Sequence, residues 1–299
     1  MNPRRHRARR AALPLGTTGL LRRALQEDRW RQDITTQAIV RSRLSGRALI
    51  AAQASGVLSG LEAARRLAQI GGLRSATRTA DGRAVRAGTV VLELRGDVRR
   101  ILAVERTLLN LLMHLSGVAT LTAEVVHRAR RVRPGFRIRA TRKTLPGLRD
   151  LEKAAVVDGG GEPHRRDLSD AVLIKSTHLS LVPLTEAVQR ARSALGSSRR
   201  LQVEIRSATD ARAAVAAGAR RLLVDNQSPV TVARIVRDLR QRTGGAPVEV
   251  EVSGGIGPKT IAAYARTGAD AASLGQLTHS APAVPFHLTL VAPPRRRAG

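Results

Sequence analysis

The second half of the chain alternates short apolar runs with segments of helical periodicity. Successive apolar runs lie about 20 to 30 residues apart, which is the spacing of repeated β/α units. Because each such unit adds a strand parallel to the previous one, the pattern predicts a parallel sheet or barrel covered by helices. The predicted strands are residues 137–140, 171–174, 201–205, 221–224, 248–252 and 271–274, and the predicted helices are residues 184–195, 208–217, 229–242 and 258–267.

The first half has a less regular pattern, typical of a small α+β unit. From residue 101 to about residue 132, apolar residues recur at helical spacing, which predicts one or two long helices at the boundary between the halves. Gly71-Gly72 is a usual helix stop. Other predicted helices are residues 20–25 and 61–70, and short strands lie around residues 46–50 and 90–94, in a segment that opens at Asp33-Ile34-Thr35-Thr36.

Every predicted strand of the second half ends in a glycine or in a side chain capable of chemistry. In a β/α barrel, the carboxyl ends of the strands form the face on which active sites are built. Few such residues occur at the opposite strand ends. The sequence therefore predicts one site, assembled from loops that follow different strands. The residues at or just beyond the strand ends are Arg142 and Lys143, Lys175, Glu204, Asp225, Ser253 with Gly254, and Gly275.

Lysine is concentrated in one segment of a chain that otherwise uses arginine. Of its 52 lysines and arginines only four are lysines, and Lys143, Lys153 and Lys175 all lie between residues 141 and 178. A compact ammonium differs from a guanidinium fork in having an adjustable pKa. Basic side chains among glycines therefore predict a pocket for a small, highly anionic ligand, with chance placement as the alternative. The segment also contains Gly159-Gly160-Gly161 and His164-Arg165-Arg166.

Two neighbouring strands that end in glycines predict a phosphate site. Ser253-Gly254-Gly255 follows one strand and Gly275 follows the next, so backbone N–H groups there can approach a phosphate closely. A helix that begins near Pro258 would add its positive end. A plain turn is the alternative interpretation of the glycine pair.

Glu204 and Asp225 are acids at the ends of hydrophobic strands, where an unpaired carboxylate is costly. A neighbouring arginine could neutralise each of them. Beside a phosphate site, Lys143 and Lys175, the pair better fits contacts to hydroxyl groups or to a magnesium ion carried by a substrate diphosphate. This set of residues suits a reaction in which a phosphosugar loses pyrophosphate while an anionic aromatic acid attacks it. Positioning and preorganised charge would supply the rate, without a covalent nucleophile.

Composition excludes several classes of function. The formal net charge is +29, but the arginines are dispersed and the chain has one tryptophan, one tyrosine and two phenylalanines. Non-specific polyanion affinity is therefore expected without specific nucleic-acid recognition. The absence of cysteine excludes disulfides and thiolate sites. No unbroken apolar run approaches the roughly 20 residues of a membrane span, so we expect a cytoplasmic protein, with an organelle transit peptide as the alternative for its arginine-rich start.

Together these motifs resemble the quinolinate phosphoribosyltransferase family, the decarboxylating nicotinate-nucleotide pyrophosphorylases. The likeness runs from about residue 20 to residue 290 in the family's order and spacing, and the set is specific although each motif is short. Its second-half motifs are Thr141-Arg142-Lys143-Thr144-Leu145-Pro146-Gly147, Gly159-Gly160-Gly161, His164-Arg165, Ile174-Lys175 with His178, Val203-Glu204, Val224-Asp225-Asn226, Ser253-Gly254-Gly255-Ile256, and Gly275 with Leu277-Thr278-His279-Ser280-Ala281-Pro282. Its first-half motifs are Glu27-Asp28, Asp33-Ile34-Thr35, Gly56-Val57-Leu58-Ser59-Gly60, Glu105-Arg106-Thr107 with Asn110, and His114-Leu115-Ser116-Gly117.

The resemblance implies an α/β fold of the type II phosphoribosyltransferase kind. Its parts would be an N-terminal α/β sandwich of residues 17–118, completed by residues 276–292, and a seven-stranded open α/β barrel of residues 119–275. It also implies a homodimer, with further assembly left open, in which the sandwich of one subunit covers the barrel mouth of the other. The basic segments 1–16 and 293–299 are expected to be disordered tails.

The resemblance also assigns roles in NAD biosynthesis, in which quinolinate and phosphoribosyl pyrophosphate give nicotinate mononucleotide, pyrophosphate and carbon dioxide. The predicted catalytic residues are Lys143, Lys175, Glu204 and Asp225, and the two acids would also contact the ribose and Mg²⁺ on the substrate diphosphate. The predicted quinolinate-binding residues are Arg142, His164, Arg165 and Lys175, with Arg106 reaching into the site of the neighbouring subunit. The predicted phosphate-binding residues are Ser253, Gly254, Gly255, Gly275 and His279.

Several positions depart from the family's pattern. Polar or charged groups of the pocket are lost while its arginines and lysines are kept, and Ala140 with the Pro-His-Arg order resembles related proteins associated with molybdenum-transport operons. One alternative is therefore a paralogous phosphoribosyltransferase for another aromatic or heterocyclic acid. A second is a non-catalytic phosphate-ligand or polyanion-binding barrel, against which the intact Glu204 and Asp225 argue. The departures are Ala140 for aspartate, Pro163 for asparagine, Asp167 for glycine, Ser176-Thr177 for aspartate-asparagine, Gln202 for glutamate and Gln276 for a small residue.

Overall fold

The structure is a computed structural model that describes residues 13–195, 201–242 and 247–291. Residues 1–12 of the predicted N-terminal tail and all of the predicted tail at 293–299 lie outside the described residues. Within the described chain there are two units. The first comprises residues 13–120, 150–159 and 281–291, and the second comprises the described residues of 121–149 and 160–280.

Helices and strands follow one another along both units. In chain order the described elements are α1 (Thr17–Glu27), a 3₁₀ helix (Trp30–Gln32), α2 (Ile34–Ile39), β1 (Ser45–Ala52), β2 (Gly56–Val57), α3 (Leu61–Ile70), β3 (Arg74–Thr77), β4 (Ala84–Val85), β5 (Val90–Asp97), α4 (Val98–Arg130), β6 (Arg137–Arg139), α5 (Arg149–Asp158), β7 (Val172–Ile174), α6 (Ser176–Leu179), α7 (Leu184–Leu195), β8 (Leu201–Ile205), α8 (Ala208–Ala216), β9 (Arg221–Asp225), α9 (Pro229–Arg242), β10 (Glu249–Ser253), α10 (Ile261–Ala265), β11 (Ala271–Ser273), α11 (Gln276–His279) and β12 (Phe286–Val291).

The first unit is an α/β sandwich. Its antiparallel sheet has the strand order β12-β1-β5-β3, so that the last strand of the chain lies at an edge beside β1. Helix α3 packs on β3 and β5, and α1 packs on α3. Leu67 of α3 and Leu92 and Leu94 of β5 are fully buried, and burial of each leucine contributes about 1.5 to 3 kcal/mol. The predicted N-terminal α/β sandwich is confirmed.

The second unit is built on a parallel sheet with the strand order β6-β11-β10-β9-β8-β7. Strands β7 to β11 are neighbours in chain order, and the first strand, β6, pairs with the last, β11. This pairing of first and last strands is what curls a sheet of β/α units into a barrel. The α/β class and the parallel β/α architecture predicted from the spacing are therefore confirmed, and all six strand-like runs form strands.

The described residues contain six barrel strands instead of the seven that the resemblance implies. At the expected place of the seventh, Glu162 forms only an isolated parallel bridge to Arg139 of β6. Pro163 follows directly, and because proline has no N–H to donate it stops a ladder from extending. His164 then takes a positive φ of 52°, which is outside the β region. The open side of the barrel lies between this bridge and β7.

The segment that opens at Asp33 starts with helix α2, because the Asp33 carboxylate accepts a hydrogen bond from the Thr36 N–H at 2.9 Å and caps the helix. One local prediction is corrected. The helix predicted for residues 258–267 is only α10, Ile261–Ala265. Helices α7 and α9 match the predicted bounds.

Helix α4 is a single 33-residue helix where one or two were predicted. By length and composition it could cross a membrane, with a mean hydropathy of 1.4 over its most apolar stretch. Its apolar residues recur at helical spacing and do not form one unbroken run, so the sequence pattern predicted a helix there but no membrane span. Of that stretch 61% is buried inside the protein, as in the core helix of a globular protein.

Candidate active site

One cavity of about 440 Å³ lies at the carboxyl ends of the barrel strands. It brings together every predicted site residue of the second unit, although these residues are spread over more than half of that unit's length. Arg106 is not among its lining residues. The predicted residues that line it are Arg142, Lys143, His164, Arg165, Lys175, Glu204, Asp225, Ser253, Gly254, Gly255, Gly275 and His279.

The two acids of the cavity have no arginine partner. Neither Glu204 nor Asp225 forms an ion pair with any described residue, and the Glu204 carboxylate accepts one hydrogen bond, from the Ser176 N–H at 3.2 Å. Burial raises the pKa of Asp225, and the negative charge of Glu204 raises it further, against smaller lowering effects that include those of Lys143 and Lys175. Two neighbouring carboxylates without ion-pair partners among the described residues are suited to receive a cation or hydroxyl groups.

Glu93 in the first unit is a buried acid that neighbouring arginines neutralise. Its side chain is 1% exposed and forms ion pairs with Arg47, Arg78 and Arg95. Hydrogen bonds from these three arginines lower the pKa of Glu93 to about 2. The chain therefore neutralises a buried acid with arginine where the acid has a structural role. Glu204 and Asp225 lack such partners among the described residues, which favours their functional interpretation.

Lys143 lies in the loop after β6, and helix α11, which follows β11, fixes its backbone. The Thr278 hydroxyl donates to the Lys143 carbonyl oxygen at 2.7 Å, and Thr278 is almost fully buried. A Cβ atom on Gly275 would lie 2.8 Å from Cδ of Lys143 and 3.1 Å from Nε2 of His279. Glycine at position 275 thus lets the Lys143 and His279 side chains lie close together.

The loop after β10 has the backbone of an anion cradle. Gly254 and Gly255 have φ angles of 96° and 62°, a conformation that glycine adopts without strain and that turns successive N–H groups toward one side. A Cβ atom on Gly254 would lie 2.8 Å from the backbone of Asn226. The predicted contribution of a helix near Pro258 is corrected, because α10 begins at Ile261 and has five residues. Backbone amides of the loop are therefore the main phosphate donors available here.

The cavity also carries two half-buried guanidinium groups, those of Arg142 and Arg165. Nε of Arg142 is buried without a hydrogen-bond partner among the described residues, and leaving such a donor unsatisfied costs about 1 to 3 kcal/mol. Burial lowers the pKa of Arg165, and the positive charge of Arg142 lowers it further. Two close guanidinium groups and an unsatisfied donor form a place that an anionic ligand would complete.

Arg106 lies on α4 in the first unit, with an exposed side chain. Its role in the site of a neighbouring subunit therefore stays a prediction.

Glu251 is a residue of the cavity lining that was not predicted from the sequence. Its signal was the alternation Glu249-Val250-Glu251-Val252, which places two acids on one face of an otherwise apolar strand.

The residues that depart from the family pattern do not all reach the cavity. Ala140 and Gln276 line it, whereas Gln202 and Pro163 line a neighbouring recess. Ser176 contributes only its backbone N–H, to Glu204. Asp167 is occupied by the N–H and hydroxyl of Ser169. The departures therefore alter the cavity wall itself at two positions, where Ala140 removes a polar group and Gln276 adds one.

Two protein-family models together match most of the chain. A family model described as quinolinate phosphoribosyl transferase, C-terminal domain, matches residues 118–289, and the corresponding N-terminal domain model matches residues 33–116. This chain belongs to the quinolinate phosphoribosyltransferase family. The resemblance noted in the sequence is thereby confirmed.

Relatives within this family are similar over nearly their whole length. A probable nicotinate-nucleotide pyrophosphorylase [carboxylating] of Methanothermobacter thermautotrophicus is 40% identical, over 91% of this chain and 98% of the relative. The nicotinate-nucleotide pyrophosphorylase [carboxylating] of Mycobacterium leprae is 38% identical, over 87% and 89%. The solved structure of the nicotinate-nucleotide pyrophosphorylase of Francisella tularensis matches with a TM-score of 0.85 and 32% identity, over 93% of this chain and 98% of that chain. The barrel and sandwich are thus those of quinolinate phosphoribosyltransferases.

Proposed function

We propose that this protein is a quinolinate phosphoribosyltransferase, which joins quinolinate to phosphoribosyl pyrophosphate in NAD biosynthesis. The products are nicotinate mononucleotide, pyrophosphate and carbon dioxide. The observation that carries the proposal is the cavity at the barrel's carboxyl face, where Glu204 and Asp225, a glycine cradle and two half-buried guanidinium groups lie together. The names of the relatives describe the same reaction, written in the carboxylating direction.

The cavity can divide the two substrates between its two sides. The N–H groups of Gly254 and Gly255, with Gly275 and His279, suit the phosphate of the phosphosugar. Arg142, Arg165 and Lys175 suit the two carboxylates of quinolinate. Glu204 and Asp225 then face the ribose between the two groups.

In the first chemical step the bond from the ribose C1 to the diphosphate oxygen breaks, and the diphosphate leaves with the electron pair. The quinolinate nitrogen uses its lone pair to form the new bond to C1. Glu204 and Asp225 stabilise the positive charge that develops on the ribose, and Lys143 stabilises the negative charge on the leaving oxygen. In the second step the bond from the ring C2 to its carboxylate breaks, carbon dioxide leaves, and the electron pair at C2 takes up a proton.

The donor set fits Mg²⁺ only with help from the substrate. Among the described residues no cluster of three or more potential metal ligands exists. The two carboxylates, of which Asp225 has its pKa raised by burial and by the charge of Glu204, can still complete the coordination of an ion held mainly by diphosphate oxygens. Mg²⁺ held in this way would neutralise charge on the leaving diphosphate.

The acceptor is tested by steady-state kinetics with quinolinate and with nicotinate, which lacks one carboxylate. Loss of a charge-paired group costs on the order of 3 kcal/mol, so we expect kcat/KM to be at least about a hundredfold higher for quinolinate. Pyrophosphate, carbon dioxide and nicotinate mononucleotide are measured together. Equal rates with both acids, or no pyrophosphate with either, would favour the paralogue with another acid acceptor, for which the changes at Ala140 and Gln276 in the cavity wall argue.

Assembly and location belong to the same proposal. We expect a homodimer whose subunits share their sites, with Arg106 supplied to the neighbouring site. We expect the enzyme in the cytoplasm, where the substrates of NAD biosynthesis are available, and we expect no specific nucleic-acid or membrane partner.

A further inference from the structure

The carboxylate of Glu251 lies at the floor of the cavity, on the inner face of β10. It is fully buried. Its Oε2 atom accepts hydrogen bonds from Nη1 of Arg139 at 2.6 Å and from Nε2 of Gln202 at 3.1 Å. One oxygen of Glu251 is therefore tied to two residues on other strands of the barrel.

The second oxygen of Glu251 is directed to a predicted ligand of the substrate. Oε1 has no hydrogen-bond partner among the described residues, and Nε2 of His164 lies 3.5 Å away from it. That separation is an ion-pair distance but is longer than a good hydrogen bond. His164 itself has a φ of 52°, which a non-glycine residue keeps only when its surroundings hold it there.

The charged partners of Glu251 are Arg139 and His164, and among the described residues only Arg139 is shared with other carboxylates. Arg139 is shared by three carboxylates, those of Glu162, Glu249 and Glu251. Burial raises the pKa of Glu251, but the contacts with His164 and Arg139 outweigh this effect and lower that pKa to about 2. Glu251 is consequently a fixed anion, and a fixed anion on one ring nitrogen sets the tautomer and the plane of an imidazole.

We propose that Glu251 is the positioning residue of the acid-acceptor site: its Oε1 atom holds the His164 ring toward the bound quinolinate. Glu251 acts through His164 and not by contact with the reacting atoms. The inference rests on the proposed function, because it takes quinolinate as the ligand that His164 meets. When quinolinate is bound, the contact between Oε1 and Nε2 shortens to a hydrogen bond.

Glu249 offers a matched control on the same strand. It lies two residues earlier on the same face of β10 and also pairs with Arg139, at 2.6 Å. Its other partners are Arg137 and Arg221, and no contact with His164 occurs among the described residues. Glu249→Gln therefore removes a partly buried acid from the same arginine and changes neither His164 nor Glu251.

The test is a double-mutant cycle on quinolinate affinity, measured by calorimetry with quinolinate alone, so that no turnover occurs. We expect Glu251→Gln to weaken quinolinate binding at least about tenfold, and to have less than about a twofold effect when His164 is already alanine. Affinity for phosphoribosyl pyrophosphate with Mg²⁺, and the affinity of Glu249→Gln for quinolinate, should stay within about twofold of the unsubstituted protein. Glu251→Asp keeps a charge beside Arg139 but is too short to reach His164. If Glu251→Gln does not fold, Glu251→Asp replaces it in the test and is expected to weaken quinolinate binding by the same factor.

The outcomes separate this inference from the proposed function. Unchanged quinolinate affinity in folded Glu251→Gln, or equal losses in the presence and absence of His164, overturns the positioning role alone. Equal losses in Glu249→Gln and Glu251→Gln also overturn it, since a general effect of the arginine cluster would then suffice. If the unsubstituted protein binds phosphoribosyl pyrophosphate but not quinolinate, the proposed acceptor and this inference fail together.

Discussion

At the scale of single residues, Glu204 and Asp225 are acids that the fold brings together without giving either an ion-pair partner among the described residues. If they stabilise the charge on the ribose, Glu204→Gln and Asp225→Asn should each lower kcat by roughly tenfold to a thousandfold, or about 1.4 to 4 kcal/mol. Thermal unfolding should change little, because neither carboxylate holds an arginine. Rapid-quench or steady-state kinetics beside a melting curve checks both statements, and near-normal turnover in both variants would remove these acids from the mechanism.

Gly275 allows a second residue-level prediction, because its φ of −71° is one that alanine adopts without strain. Only the space beside it is restricted, with Cδ of Lys143 2.8 Å from the position of a Cβ atom. Gly275→Ala should displace Lys143 or His279 and lower kcat/KM at least about tenfold, with an almost unchanged melting temperature. Gly135→Ala is the control, since a Cβ there meets no atom within 4 Å. Equal activity of the two variants would mean that the crowding at Gly275 does not matter.

At the scale of elements, sequence periodicity was sufficient for the helices α3, α4, α7, α8 and α9 and for the six barrel strands. Helix α5 was missed because Glu152 and Lys153 are among its buried residues, so its pattern is not amphipathic. The Glu152 carboxylate has its partner far away in the sequence, at 2.8 Å from Nε2 of His114. Helices α6 and α11 have four residues each, too few for a period of 3.6 to show.

Helix α3 is capped by an acid from another part of the chain, and this gives a prediction about pH. Its N-cap is Gly60, which has no side chain, and Oδ1 of Asp81 accepts from the Leu61 N–H at 3.0 Å. Burial raises the pKa of Asp81 to about 6, and the nearby Asp158 raises it as well, although the Leu61 N–H lowers it. Because the folded state then binds the proton more tightly than the unfolded state, this group's contribution to stability is lost as pH rises from about 4 to 6.

Asp81→Asn keeps an oxygen acceptor for the Leu61 N–H without the buried charge. We expect the free energy of unfolding at pH 7 to increase by about 1 to 2 kcal/mol, and its fall between pH 4 and 6 to become smaller. Denaturant unfolding at several pH values measures both effects. Glu62→Gln, in the first turn of the same helix, should change stability by less than about 0.5 kcal/mol. A loss of stability at pH 7 in Asp81→Asn would show that the charged cap is favourable.

At the scale of the whole molecule, the location of the site was predictable because the topology of β/α units brings all strand ends to one face. The polar floor beneath it was not, since Glu251 meets Gln202 and Arg139 across 49 and 112 residues of sequence. Which strand faces which across a barrel is determined by closure and not by local pattern. The weak seventh strand has a similar origin, because one proline at position 163 ends the pairing that the family resemblance implied.

Arg106 connects the site to assembly, and its prediction applies to the whole molecule. It is exposed on α4 and is not among the residues that line the cavity, and the family resemblance implies that it enters the site of a neighbouring subunit. Inactive Arg106→Ala and inactive Lys143→Ala proteins are therefore mixed under conditions that exchange subunits. Half of randomly formed dimers are hybrids, and one of the two sites in each hybrid has both residues, so about a quarter of full activity should return. Lys143→Ala mixed with Glu204→Gln should recover nothing, because both residues belong to the same barrel. Failure of the first mixture to recover, with exchange demonstrated by labelled subunits, would place Arg106 in the site of its own subunit or outside the chemistry.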